Sequence, residues 1–205
     1  MIIGHQKQWE FLKRSFEEGQ LAHAFLFCGE SQIGKKTLAI ELVKLLNCQD
    51  ANKPCGACKN CLDVEKGKFL DFLFVRSGEE SNNFEGMFSY NSALPDLKSG
   101  EVLTDKKEIG IDQARKALDF LSLRSYFSGY KAVIIDNAEK LTIEAQNCLL
   151  KTLEEPKGKT ILILVTSQPD RLLTTIFSRC QTIKFFATKE ILKVSKNPEQ
   201  VKKEK

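Results

Sequence analysis

The chain has 205 residues, 42% of them hydrophobic, which suffices for one large core or for one domain with a small appendage. It has no apolar run approaching the roughly 18 residues needed to span a bilayer, and MIIGHQKQWE lacks the segments of a secretory signal, so a soluble, cytoplasmic protein is expected. The formal charge of +4 does not point to DNA: from Ala187 onward six lysines and three glutamates supply a surplus of three, leaving a nearly neutral body.

The pattern QKQWEFLKRSFEEG places Trp9, Leu12 and Phe16 at helical spacing and stops at Gly19. AFLFCG then reads as a short buried strand, and KKTLAIELVKLLNC as a helix with Leu38, Leu42, Leu45 and Leu46 on one face. DFLFVRS is a second strand. The polar stretch over about 78–107 has little periodicity and is expected to be a long surface insertion. GIDQARKALDFLSL resumes a helix with Asp112 in its first turn, and KAVIIDNAEK supplies a strand over Ala132–Ile135 that ends in Asp136. TIEAQNCLLKTLEEP is a helix opened by an approximate capping box at Thr142 and closed before Pro156. TILILVTSQ and CQTIKFF complete the strands, and a weak helix KEILKV precedes a lysine-rich tail. Strands apolar on both faces and separated by helices imply an α/β fold whose parallel sheet is covered on both sides.

GESQIGKKT, Gly29 to Thr37, falls between a predicted strand and a predicted helix, and nearly matches the phosphate-binding loop G-x-x-x-x-G-K-[ST]. Gly29, Gly34 and Lys35 are suited to cradling phosphates at a helix start. The position that should carry a Mg²⁺-binding hydroxyl is Lys36, and Thr37, one residue or about 100° later, cannot simply replace it. At the end of the apolar strand Asp136 is the acid expected near Mg²⁺, but Asn137 stands where a glutamate would activate water, and a neutral amide is no general base. Glu139 is a candidate substitute two residues on.

NCQDANKPCGACKNC spaces Cys48, Cys55, Cys58 and Cys61 as C-x₆-C-x₂-C-x₂-C. The two short gaps, with Pro54 and Gly56 for the bends, let four thiolates converge on a closed, structural Zn²⁺ site; an iron–sulfur cluster is the chemical competitor. Zinc and four thiolates would add −2, lowering the net charge further. Cys28, Cys148 and Cys180 read as packing residues, and neither His5 nor His23 belongs to a recognisable catalytic arrangement.

With these residues in hand, the chain resembles the clamp-loader branch of the AAA+ superfamily, and within it the delta-prime members of bacterial DNA polymerase III. The resemblance spans about Ile2 to Phe186 and is carried by LAHAFLFCG, GIDQARKAL, NCLLKTLEEP and RLLTTIFSRC, with IIGHQ similar to the box near adenine that uses the backbone of Ile3 and Gly4. It implies an AAA+ P-loop domain over 1–186, with a zinc module at about 48–61, the insertion at about 78–107, and a remnant of lid or a lysine-rich tail over 187–205. The nucleotide residues it implies are Gly29, Gly34, Lys35, Thr37, Asp136 and Ser167, the last in the place of a γ-phosphate sensor or else a simple strand-end cap. Arg179, in Ser-Arg-Cys, would reach in trans into a neighbour's site, its bland alternative being a surface salt bridge. Lys36 and Asn137 fit the degraded motifs common in delta-prime members, so no hydrolysis is expected from this chain alone, while ATP or ADP binding stays open and Mg²⁺ is doubtful. Implied partners are the gamma/tau ATPase and delta subunits, with the sliding clamp and primer-template DNA reached through the complex that serves DNA-directed DNA polymerase activity. Full members continue into a helical lid, with its nucleotide-sensing arginine, and a collar; a chain ending at Lys205 is expected to be a short form or a fragment. The alternatives are a self-sufficient AAA+ ATPase, and a zinc-stabilised interaction module outside any clamp loader.

Overall fold

In the computed structural model the described residues are 4–77 and 108–187. Ile3, the insertion over 78–107, and the weak helix and tail from 188 lie outside them.

Five strands form one all-parallel sheet in the order β2-β3-β4-β1-β5. They are β1 (Ala24–Cys28), β2 (Phe72–Val75), β3 (Lys131–Ile135), β4 (Thr160–Thr166) and β5 (Gln181–Lys184). Every residue of β1 to β4 is buried, as two-sided covering requires, whereas edge strand β5 buries only Ile183. The pleat sorts side chains between two cores. Phe25, Phe27, Ile161, Ile163 and Val165 face α1 (Gln6–Glu17), α2 (Lys35–Asn47) and α3 (Lys59–Glu65). Ala24, Leu26, Leu162 and Leu164 face α4 (Ile111–Ser122), α5 (Ile143–Glu154) and α6 (Thr174–Phe177).

The sequence pattern explains most of these elements. The leucines predicted to share a face of α2 are all buried, at roughly 1.5–3 kcal/mol each for complete burial. Thr142 caps α5 by accepting from the Ala145 amide at 3.3 Å. Gln146 does not close the box; its amide donates to the Leu141 carbonyl at 3.1 Å and its oxygen accepts from the Leu173 amide at 2.8 Å, tying α5 to the approach to α6.

Parallel connections bring the C-terminal ends of all five strands to one edge of the sheet. Strand β1 sits between β4 and β5, where the connections diverge, and a crevice for ligands opens at such a switch point.

Candidate functional site

The loop leaving β1 enters that crevice. Gly29 has φ +154, and a Cβ there would strike the carbonyl oxygen of Phe185, whose amide donates to the Cys28 carbonyl at 2.7 Å. Only glycine allows β1 and β5 to hold the loop this closely. Gly34, at φ +98, turns the chain into α2. His5, isolated in sequence, supports the loop from behind: its Nε2 donates to the Ile33 carbonyl at 2.6 Å, and its ring packs edge-on against Phe185 at 4.8 Å. The spacing of the motif gives no sign of this contact.

The crevice is a cleft of about 510 Å³ whose lining includes Gly34, Lys35, Lys36, Thr37, Asp136, Asn137 and Ser167. Five of the six predicted nucleotide residues therefore line one space, and Gly29 opens the loop that bounds it. Several of their side chains are already engaged within the fold. Lys35, 6% exposed, donates to the carbonyls of Gly29 (2.7 Å) and Glu30. Burial lowers its pKa, against the opposing pull of Glu139 and Asp136. Glu139 accepts from the Thr166 and Ser167 hydroxyls, both at 2.7 Å, and from the Ser167 amide at 3.4 Å. Burial tends to raise the Glu139 pKa, but these donors outweigh it and leave the pKa below its ordinary value.

Lys36 projects into the same cleft. Its ammonium lies 3.8 Å from Asp136 Oδ2 and 5.7 Å from the centre of the Phe74 ring. Mg²⁺, which the AAA+ fold implies, does not fit these residues. The hydroxyl that would bind it is missing, Thr37 lines the cleft as an exposed side chain, and a divalent ion at Asp136 would meet the Lys36 ammonium. Asn137, in the left-handed region at φ 53, donates its amide to Asp136 Oδ1 at 3.2 Å.

The four clustered cysteines converge at the far end of α2, about 20 Å away along a 13-residue helix. Cys48 follows that helix, Cys58 precedes α3 and Cys61 lies within it. The sulfurs all lie within 4.8 Å of one another, with Cys48 3.6 Å from Cys55 and 3.8 Å from Cys58. A tetrahedron with metal–sulfur bonds of about 2.3 Å has sulfur–sulfur edges of about 3.8 Å, so the four thiols could hold a metal such as zinc. Asn60 donates to the Asn47 carbonyl at 2.8 Å and clasps α3 to the end of α2. Burial pushes Cys28 up to about 11 and Cys180 up to about 12, in keeping with packing roles.

Arg179 follows α6 on the surface. Its Nε donates to Glu154 Oε1 at 2.7 Å, Nη2 meets the same oxygen, and Nη1 donates to the Thr175 carbonyl and Ser178 hydroxyl, both at 3.1 Å. The side chains of Arg179 and Glu154 remain 31% and 51% exposed, so the guanidinium is parked on its own protomer without being enclosed. Glu154, inside the LLKTLEEP stretch, has no separate signal in the sequence.

A family model described as DNA polymerase III, delta subunit, matches residues 4–189. The chain belongs to the DNA polymerase III delta-subunit family. Relatives in keeping with that family include the DNA polymerase III subunit delta′ of Pseudomonas aeruginosa PAO1, 37% identical over 163 residues, or 78% of this chain and 42% of that protein. The delta′ subunit of Bacillus subtilis 168 is 33% identical over 86% of this chain and 46% of its own length. Subunit tau of Escherichia coli K12 is 28% identical over 87% of this chain and 24% of its own. The chain thus spans less than half the length of the delta′ relatives it matches. Among solved structures, a gamma-subunit-related protein of Thermotoga maritima superposes with a TM-score of 0.56 at 24% identity, covering 92% of this chain and 49% of that one. A point mutant of Thermotoga maritima RuvB gives 0.54 at 16%, covering 98% and 52%. At these identities the likeness concerns the fold, which is that of AAA+ proteins.

Proposed function

We propose that residues 1–186 are the AAA+ domain of a clamp-loader subunit of DNA polymerase III, one that does not hydrolyse ATP and supplies Arg179 in trans to a neighbouring ATPase subunit. The observation that carries this reading is the Lys36 ammonium against Asp136, in the cleft where this fold would otherwise pair an acid with a metal. Asn137 removes the base beside it, and Glu139 is a poor replacement because donors from Thr166 and Ser167 occupy its carboxylate and depress its basicity. Arg179 suits the donor role: it follows a short helix, its planar fork is always charged, and a half-exposed carboxylate is its resting partner. A γ-phosphate with its greater charge could outcompete that carboxylate.

The partners on this reading are the gamma/tau and delta subunits, and through them the sliding clamp and primer-template DNA. The four cysteines hold structural zinc. A single ion accounts for the close sulfur spacing, whereas an iron–sulfur cluster would spread its thiolates farther apart. The setting is the cytoplasm, where replication proteins work; among the described residues no helix is long and apolar enough to cross a membrane.

Mixing the chain with the gamma/tau and delta subunits and measuring steady-state ATP hydrolysis tests the proposal. The chain alone should show no turnover above background, and Arg179→Ala should lower the assembly's rate about tenfold or more. Turnover by the isolated chain would favour the self-sufficient ATPase instead. An unchanged rate with Arg179→Ala would remove the in-trans role.

A further inference from the structure

The disagreement between the fold's usual metal and the residues present has a positive side. We propose that Lys36 is the built-in counter-charge of the cleft, standing where a divalent ion would stand, so that this site takes a nucleoside diphosphate or triphosphate without Mg²⁺. The inference rests on the reading of this crevice as a nucleotide cleft that does not hydrolyse.

Three observations lead there. The Lys36 ammonium reaches 3.8 Å from the Asp136 carboxylate, the group at the end of β3 that would otherwise face the metal. The side chain is one-third exposed and lines the cleft beside Lys35 and Thr37, so its ammonium is accessible to a ligand and is not sealed in the core. The cleft, about 510 Å³, has the size of a small-molecule site and opens at the N-terminus of a 13-residue helix, where loop amides and Lys35 favour phosphate oxygens.

Charge explains why the metal becomes unnecessary. In the usual arrangement Mg²⁺ bridges an acid and the phosphates and offsets the repulsion between them. Here the Lys36 ammonium already lies 3.8 Å from Asp136 and can screen an incoming phosphate from that carboxylate, with Lys35 a second cation in the cleft lining. An ammonium provides charge but no octahedral coordination, so it can help to hold phosphates without orienting an attacking water. Retained binding without turnover is the chemical consequence.

Titrating the full chain with mant-ADP, followed by fluorescence, once with EDTA and once with Mg²⁺, reads this directly. Wild-type affinity should agree within about twofold between the two buffers. Lys36→Met, which keeps length and removes charge, should weaken binding in both, while Lys36→Arg should retain it. Lys36→Thr restores the missing hydroxyl and should bind about tenfold or more tightly with Mg²⁺ than with EDTA, and should show bound Mn²⁺ by electron paramagnetic resonance where the wild type shows none. Wild-type affinity that rises about tenfold with Mg²⁺ overturns the inference, and so does the absence of saturable binding in both buffers. Either result leaves Arg179 untouched. Conversely, an Arg179→Ala substitution without effect on the neighbour's hydrolysis removes the in-trans role and leaves the EDTA comparison standing.

Discussion

Asp71 offers the most severe test of how the fold is held. It is fully buried, just before β2, and its carboxylate accepts from the Ser125 hydroxyl at 2.8 Å, the Tyr126 amide at 2.9 Å and the Phe127 amide at 3.0 Å. Lys131, its charged partner at 3.3 Å, is also buried and rests over the Phe120 ring at 3.9 Å. Asp71→Ala would strand that ammonium, and removing one member of a buried pair typically costs about 3–5 kcal/mol. The loop residues Tyr126 and Phe127 are exposed, so water can satisfy their amides and little need be added for them. We expect about 3 kcal/mol, or a fall of about 1.5 M in urea midpoint at a typical slope of about 2 kcal/mol/M. An Asp71→Ala/Lys131→Met double variant should lose less than the sum of the two single variants. The pH dependence has a definite sign. Burial raises the Asp71 pKa, yet the amides of Tyr126 and Phe127, the Ser125 hydroxyl and Lys131 bring it below its usual value. Its stabilisation is therefore fully present above the unfolded pKa of about 3.9 and is lost as pH falls through the lower folded value. A loss under about 1 kcal/mol at neutral pH, or a double variant no better than additive, would refute the account of Asp71 as the loop's charged anchor.

Stripping metal with a strong chelator should lower the thermal midpoint and release zinc measurable by a colorimetric dye, with Cys58→Ser doing the same; elemental analysis finding iron instead would reject the zinc assignment. Arg179→Ala should change the isolated chain's stability by no more than about 0.5 kcal/mol in denaturant, because its pair with Glu154 is partly exposed. A larger loss would make Arg179 a structural residue first. Glu139→Gln should cost about 1–2 kcal/mol by weakening the bonds from Thr166 and Ser167, with the assembly's ATPase rate unchanged. A rate that collapsed with stability intact would make Glu139 a reacting group.

All five strands were legible because four are continuous apolar runs bounded by turn residues, and the fifth follows a recognisable motif. The long helices were equally plain from their apolar spacing, Trp9, Leu12 and Phe16 in α1 and the leucines of α2. Two short helices escaped for definite reasons. The seven residues of α3, KNCLDVE, contain one candidate metal ligand and follow another, and are clasped by Asn60, a long-range constraint without periodicity. The four residues of α6 begin with two β-branched threonines and form only one turn between β4 and β5. At the cleft, residue types and their order indicated which groups meet, since a glycine loop and a strand-end acid have one place to go on a parallel sheet. What each group bonds to was not legible. The contacts of Glu139 with Ser167, of Glu154 with Arg179 and of Asp71 with the 125–127 loop join residues 28, 25 and about 55 apart, and no local pattern records such pairings.

Those pairings change what the degraded motif means. In this chain Lys35 rests on the carbonyls of its own loop, Glu139 on Thr166 and Ser167, and Lys36 beside Asp136. Each of these side chains has a partner within the fold that offsets part of the cost of burying its charge, although burial still holds the Lys35 pKa below its ordinary value. On the proposed reading, the residues that would remove hydrolysis, Lys36 and Asn137, also help the crevice to stand without a ligand. If the proposed in-trans role of Arg179 holds, a subunit built this way keeps one shape while nucleotide turns over in its neighbour, and a steady shape is what a fixed guanidinium on its surface requires.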